Sequence, residues 1–434
     1  MRTRNDFSIV FLPTIETKSL DMAPASYQTK STAAGVNRRV PKSTTEKPLS
    51  AEAHGYQKVP GTPDPLPLEK PPFTLKEIRD SIPAHCFERS LLKSFLFLFH
   101  DLAICALLFY GASWIEHSQV PALAKTLLWP LYWFLQGTYM FGLWVLAHEC
   151  GHGNFSNYSV LDDTVGLFVH TFLLVPYFSW KYSHRKHHTH GGHMEHEEVF
   201  VPKTRSYVEP LWYELLEEST LFNLARLIVI GFIALLPLYL IGNFGGPAKN
   251  SGKNVNHFSP DCVMLPSNKR HEIILTDVVY FSWIAGLLYI CYECGFGNVF
   301  FYYGAPQLVC NYHVFVVTLL QHTDTYVPHY RGEDWYWLRG ALCAVDRSFG
   351  AWLDWIYHSA NSTHVCHHLF PRIPHYHAGE ATEAIIKVLG KHHMSDDTPI
   401  LKALWRVYMH CKFVEDEGSI LFYKRNPKTS SRGH

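Results

Sequence analysis

Three short runs carry most of the chemistry this chain can perform. His148-Glu149-Cys150-Gly151-His152 offers two imidazoles, His184-Arg185-Lys186-His187-His188 offers three, and His364-Val365-Cys366-His367-His368 offers three more. On a helix, positions i, i+3 and i+4 share a face, so each run can turn its ring nitrogens toward one point. The first run also spells H-E-x-x-H, the pattern in which a zinc peptidase uses two histidines as ligands and the glutamate, here Glu149, as general base. Eight imidazoles are too many for one zinc, which takes four ligands at a structural site and three plus water at a catalytic one. They fit two metal ions sharing a site. Imidazole suits iron, copper, nickel and zinc alike, so spacing alone does not name the metal.

A chain with 28 histidines can produce one such run by chance. Three runs, each beside an apolar block, are hard to dismiss that way. His322, which closes the apolar stretch ending Leu319-Leu320-Gln321-His322, is a candidate ninth ligand. His170, His190, His193 and His196 lie near the runs without their spacing and read as structural or supporting residues. Asp163, Asp324, Asp346 and Glu380 are candidate acids for orienting ligands.

The elements that must position these residues are apolar. Charged residues make up only 18% of the chain and aromatics 15%, arranged in long blocks that point to lipid as part of the solvent. The blocks are Ser94–Ile115, Leu127–Ala147, Thr164–Ser179, Leu227–Ile241, and Val278–Leu320 with a break near Glu293–Asn298. Thirty-one residues separate His152 from His184, and two full crossings need roughly 40. The chain therefore cannot cross and return between these runs, and Thr164–Ser179 is expected along the interface or inside the protein. The same parity applied to His188 and His364 favours two hairpins, Ser94–Ala147 and Asp277–Leu320, with Leu227–Ile241 re-entrant or interfacial. Lys181, Arg185, Lys186, Lys203 and Arg205 sit beside the second run, whereas Ser113–Thr126 holds only Lys125, which places the histidine face in the cytosol. The expected fold is all-α and polytopic: about four transmembrane helices under a cytosolic helical cap.

Formal charge balances to zero, so nothing suggests a nucleic-acid partner. Ten cysteines are scattered singly apart from Cys291 and Cys294, which implies a reducing compartment rather than a disulfide framework. Residues 22–72 are rich in Pro, Ser, Thr and Lys, and residues 1–72 read as a disordered tail without a cleaved targeting segment; Met22 is a plausible alternative start. Residues 73–410 form the expected membrane domain and 411–434 a C-terminal tail.

From Phe73 to Lys424 the sequence resembles the membrane fatty-acyl desaturases, specifically the methyl-end group that places Δ12 or ω3 double bonds. The three runs, "EEVFVPKTR" (Glu197–Arg205) and "HLFPRIPHYHAGEAT" (His368–Thr382) carry the resemblance. It implies two iron ions held by His148, His152, His184, His187, His188, His364, His367 and His368, with His322 as the additional ligand. It further implies O2 as co-substrate, electrons from a separate cytochrome b5 and its reductase, a fatty-acyl lipid or acyl-CoA substrate, and residence in the endoplasmic reticulum membrane. Gly153 departs from the His or Gln that many Δ12 members carry after the first run. "VFVPK" resembles Δ12 members, whereas "CGHGNFS", "YRGEDWYWLRGAL" and "LFPRIPHYH" resemble ω3 members, so both outcomes are expected. A related hydroxylase or conjugase would use the same ligands.

Against that background Glu149 reads as support for an imidazole rather than as a peptidase base. The zinc protease and a non-catalytic lipid-binding protein are the readings from other classes. A mid-chain methylene has no acidic proton and no leaving group, so the difficult step must belong to the metal and oxygen. The protein must then fix the distance from one end of the acyl chain, and Tyr139–Ala147 and Val175–Ser183 are candidate tunnel walls.

Overall fold

The structure, a computed structural model, describes residues 50–208, 219–243 and 245–425. The expectation of a disordered tail over residues 1–49 lies outside these. The fold is mostly helical. Helix α1 (Leu75–Ser81) starts at a capping box, in which Thr74 and Glu77 each satisfy the other's backbone N–H. Helix α2 (Leu91–Ala112) is capped by the Ser90 hydroxyl, which accepts from the Lys93 N–H at 3.3 Å.

Helix α3 (Ala122–His152) is the central element. It starts after Pro121 and ends where Gly153 adopts φ 73°, a left-handed position that glycine takes without penalty. The helix therefore continues five residues past the apolar block expected at Leu127–Ala147, which places the first histidine run on its last turn. Its inner half is buried on nearly all sides, from Gln136 through Cys150 with Tyr139 as the exception.

The expected block Thr164–Ser179 is divided between two helices. Helix α4 (Ser159–Phe172) and helix α5 (Tyr177–His190) meet at 105°, with Leu174 at φ 59° and Pro176 just before α5. Proline disfavours helical geometry in the residue before it, so the apolar run cannot stay one helix. The Leu227–Ile241 block is covered by helix α6 (Thr220–Val229), a π-helical turn at Ile230–Ala234 and helix α7 (Leu235–Gly242). Helix α8 (Arg270–Cys294) follows. A short helix Phe296–Val299 and a π-helical turn Phe300–Gly304 then lead into helix α9 (Ala305–His322). The expected break near Glu293–Asn298 is thus observed.

By length and composition, Leu91–Ala112 and Ser267–Cys294 can cross a membrane, and the bent pair α4–α5 adds a third if counted as one span. Helix α3 packs between α2 and α9 and also against α4. The α3–α9 contact is close: a Cβ on Gly137 would lie 2.5 Å from Val309 Cβ and 2.6 Å from the Pro306 carbonyl oxygen.

Helices α10 (His364–Leu369), α11 (His375–Leu389) and α12 (Ile400–His410) follow. Two boundaries differ from expectation. Tyr56, Leu66 and Leu68 are buried in one core cluster with Tyr326, Leu342 and Phe422, so residues 50–72 are packed rather than part of a loose tail. Prolines in this stretch limit the chain entropy lost on ordering, and the apolar partners come from distant segments that local composition does not reveal. Beyond residue 410, Phe413, Val414, Ile420, Leu421 and Phe422 are buried. There β2 (Ile420–Leu421) pairs antiparallel with β1 (His329–Tyr330), a small exception to the all-α expectation.

Candidate metal centre

Four helix segments deliver nine imidazoles to one place. The last turn of α3 carries His148 and His152, α5 carries His184, His187 and His188, the end of α9 carries His322, and α10 carries His364, His367 and His368. They form two adjacent groups. Donor atoms of His148, His152, His184, His188 and His367 all lie within 4.8 Å of one another, as do those of His187, His322 and His368. His364 joins the second group, its Nε2 lying 2.8 Å from that of His322.

The contacts themselves fit metal ions better than hydrogen bonds. His184 Nε2 sits 2.9 Å from His148 Nε2 and 3.0 Å from His188 Nε2. His148 Nε2 is also 3.2 Å from His152 Nε2, and His322 Nε2 is 3.2 Å from His187 Nε2. One ring nitrogen carries a single hydrogen or a single in-plane lone pair, so it cannot serve two such partners by hydrogen bonding alone. Two nitrogens bound to one first-row ion at about 2.1 Å and at a right angle lie ~3.0 Å apart. Burial, reinforced by neighbouring imidazoles, holds His364 and His368 well below the ordinary histidine range, and His367 is brought down to about 3 by burial and by His148. These rings are therefore neutral near pH 7, the form that ligates.

Residues 127–399 match the family model described as fatty acid desaturase. The chain belongs to the fatty acid desaturase family. Among similar curated proteins, the Delta(12) fatty acid desaturase of Mortierella alpina is 43% identical over 369 residues, covering 82% of this chain and 91% of the relative. The Delta(12)-oleate desaturase of Trichosanthes kirilowii is 41% identical over 379 residues, covering 84% and 99%. Fatty acid conjugase FAC2 B of Calendula officinalis is 41% identical over 363 residues, covering 81% and 93%.

In this desaturase the rings are supported from behind. Glu197 Oε1 lies 2.9 Å from His187 Nδ1 and also accepts from the backbone N–H groups of Glu198 and Val199 at 2.9 and 3.2 Å. Glu197 belongs to a motif visible in the sequence, yet its role was not. The signal available was an acidic pair nine residues past His188, after the Gly191-Gly192 turn that folds the chain back. Glu149 faces the Nδ1 side of His148, with Oε1 3.4 Å away, and its Oε2 accepts from the Asn154 amide and the His375 N–H, both at 3.1 Å. The convergence of rings is on the Nε2 side, so Glu149 does not point where a peptidase base must. Trp180 stacks on His184, with centroids 4.6 Å apart and planes at 18°.

The other candidate residues stand apart. Asp346 accepts from the Val365 N–H at 2.8 Å and pairs with His393 at 2.7 Å, anchoring the start of α10 without touching a converging ring nitrogen. Asp324 pairs with Arg347 at 2.8 Å and Arg406 at 2.6 Å, in a buried network completed by Asp396. Asp163 pairs with Tyr177 and Lys181, and Glu380 with His85. His170 is buried against Trp180 at 4.8 Å, while His190, His193 and His196 gather near Trp335 and one another.

A cavity of about 350 Å³ reaches the centre, where six of the nine histidines line it. Phe141, Trp144, Val175, Phe200, Val314 and Phe315 supply apolar wall. Both aromatic blocks singled out in the sequence contribute: Tyr139–Ala147 through Phe141 and Trp144, and Val175–Ser183 through Val175 and Trp180.

Proposed function

We propose that this chain is a membrane-embedded Δ12 fatty-acyl desaturase acting on an oleoyl chain with two irons, O2 and two electrons. The convergence of nine imidazoles in two adjacent groups beside an apolar cavity carries this reading. The five-ring group would hold one iron; His187, His322, His364 and His368 would hold the other. Such a pair supplies the oxidising power to remove hydrogen from an unactivated methylene.

The chain's own residues bind, orient and exclude water. Phe141, Trp144, Val175 and Phe315 give the acyl chain a dry wall, and its position along that wall selects the C–C bond; a 1 Å misplacement can cost about a hundredfold in rate. Trp180 and Glu197 keep His184 and His187 in register. Four spans are proposed: α2, α3, α8 and the broken helix ending in α9, with the nine histidines on the cytosolic side. The enzyme would then sit in the endoplasmic reticulum membrane, take electrons from a cytochrome b5-type donor, and act on an acyl lipid or acyl-CoA.

The Δ12 preference is supported by the names of several similar relatives. The conjugase among them keeps a second outcome open on the same scaffold, and the motif likenesses keep ω3 insertion as a third. Expression in yeast with added oleate or linoleate, followed by fatty-acid analysis, separates them. Linoleate formed from oleate is the expected result. A conjugated product or linoleate conversion would redirect the assignment, and no new double bond from either substrate, with protein in the membrane, would end it.

A further inference from the structure

A second cluster of metal-ligating side chains lies outside the histidine centre. His85 and Cys86 sit on the single helical turn Ala84–Phe87 just before α2, and His377 and Glu380 sit on the first turns of α11. One donor atom from each lies within 4.8 Å of the other three. His85 Nε2 is 2.8 Å from Glu380 Oε2 across 295 residues of sequence and 3.8 Å from Cys86 Sγ. The His85 and His377 ring centroids are 5.4 Å apart at 74°.

We propose that these four residues form a structural zinc site that pins the turn before α2 to α11. A thiolate, two imidazoles and a carboxylate are ligands zinc accepts, and four donors close its tetrahedron. At bond lengths of about 2.0–2.3 Å, the edges of such a tetrahedron measure ~3.3–3.8 Å. The cluster is already near that size, and the two residues needing most freedom have it: the side chains of His85 and Glu380 are 52% and 50% exposed. Cys86 is fully buried and forms the floor. Burial, with the charge of Glu380, pushes its thiol up to about 11, so without a cation it keeps its proton. Binding Zn²⁺ would replace that proton with a Zn–S bond and release it to water.

Such a clamp bears on the first centre only through packing. Helix α11 follows the third histidine run after six residues, and its first residue, His375, donates its backbone N–H to Glu149.

The test is metal analysis of the full-length enzyme purified from zinc-supplemented cells and dialysed. Wild type should retain about one zinc per chain in addition to iron. Cys86→Ser and His377→Gln should each lose most of that zinc and keep their iron, while His187→Ala should lose iron and keep zinc. Cobalt substituted for zinc should give a thiolate-to-cobalt charge-transfer band in wild type that Cys86→Ser lacks. Zinc below about a tenth of an equivalent in wild type, or equal zinc in wild type and His377→Gln, would overturn the proposal. His377→Gln matters because its partly exposed site permits folding even if Cys86→Ser does not fold. Either failure leaves the desaturase reading untouched, since that rests on other residues.

Discussion

Glu197 shows how one carboxylate can hold an imidazole in place. Its Oε1 gathers the His187 Nδ1 and two backbone N–H groups, so the side chain has little freedom, and the imidazole it holds has little either. Removing an outer partner of a metal-bound histidine typically costs 10–100-fold in metal affinity or activity. We therefore expect Glu197→Ala to lower iron retention and turnover by about tenfold or more. Glu197→Gln, which keeps an acceptor for the ring N–H, should fall between it and wild type. Iron per chain and product formation measured on the same preparations decide the matter; Glu197→Ala with full iron and full turnover would remove the role. The eight run histidines were legible because helical spacing shows itself within five residues. Glu197 was hidden because its partner is reached through a chain reversal, and nothing in a local pattern says which acid faces which ring.

At the scale of elements, close approach of α3 and α9 sets where two of the four histidine-bearing segments can stand. Gly137 permits it: any Cβ there would press on Val309 and on the Pro306 carbonyl, and a backbone atom cannot swing aside as a long side chain can. Overpacking of this kind costs roughly 1–3 kcal/mol. We expect Gly137→Ala to lower the melting temperature of the detergent-purified enzyme and its iron content together. Gly286→Ala on α8 is the control: its Cβ would meet nothing within 4 Å, so it should be neutral or stabilising by up to about 1 kcal/mol. Equal melting temperatures for the two variants would show that the α3–α9 crossing does not depend on a missing Cβ. Helix composition could be read from the sequence, and the break before α9 fell where expected. The bend between α4 and α5 escaped notice because apolar character runs unbroken through Leu173-Leu174-Val175, while the turn is dictated by Pro176 and a left-handed Leu174. The packing of residues 50–72 escaped for a related reason, since Leu66 and Leu68 are few in number and their neighbours come from the far end of the chain.

For the whole molecule, the parity of crossings is the statement on which the proposed cytosolic placement of the centre and its proposed access to a donor both depend. All nine imidazoles meet, so every segment between the runs must return to the same face, whatever the number of spans. The sequence itself contains a reporter of that face. Asn154-Phe155-Ser156, Asn157-Tyr158-Ser159 and Asn361-Ser362-Thr363 each match the acceptor pattern for N-glycosylation. Asn154 and Asn361 are buried, but Asn157 is exposed and lies just past the end of α3, where its amide oxygen accepts from Arg89 at 3.1 Å. If the histidine face met the lumen, Asn157 would be open to modification. With that face in the cytosol, the enzyme made in endoplasmic reticulum membranes should show no mobility change on endoglycosidase treatment. An acceptor sequence inserted with a flexible spacer into the loop between α2 and α3, at residues 113–121, should be modified and shift. Modification at Asn157, with the inserted site left bare, would invert the molecule and separate its centre from any cytosolic electron donor.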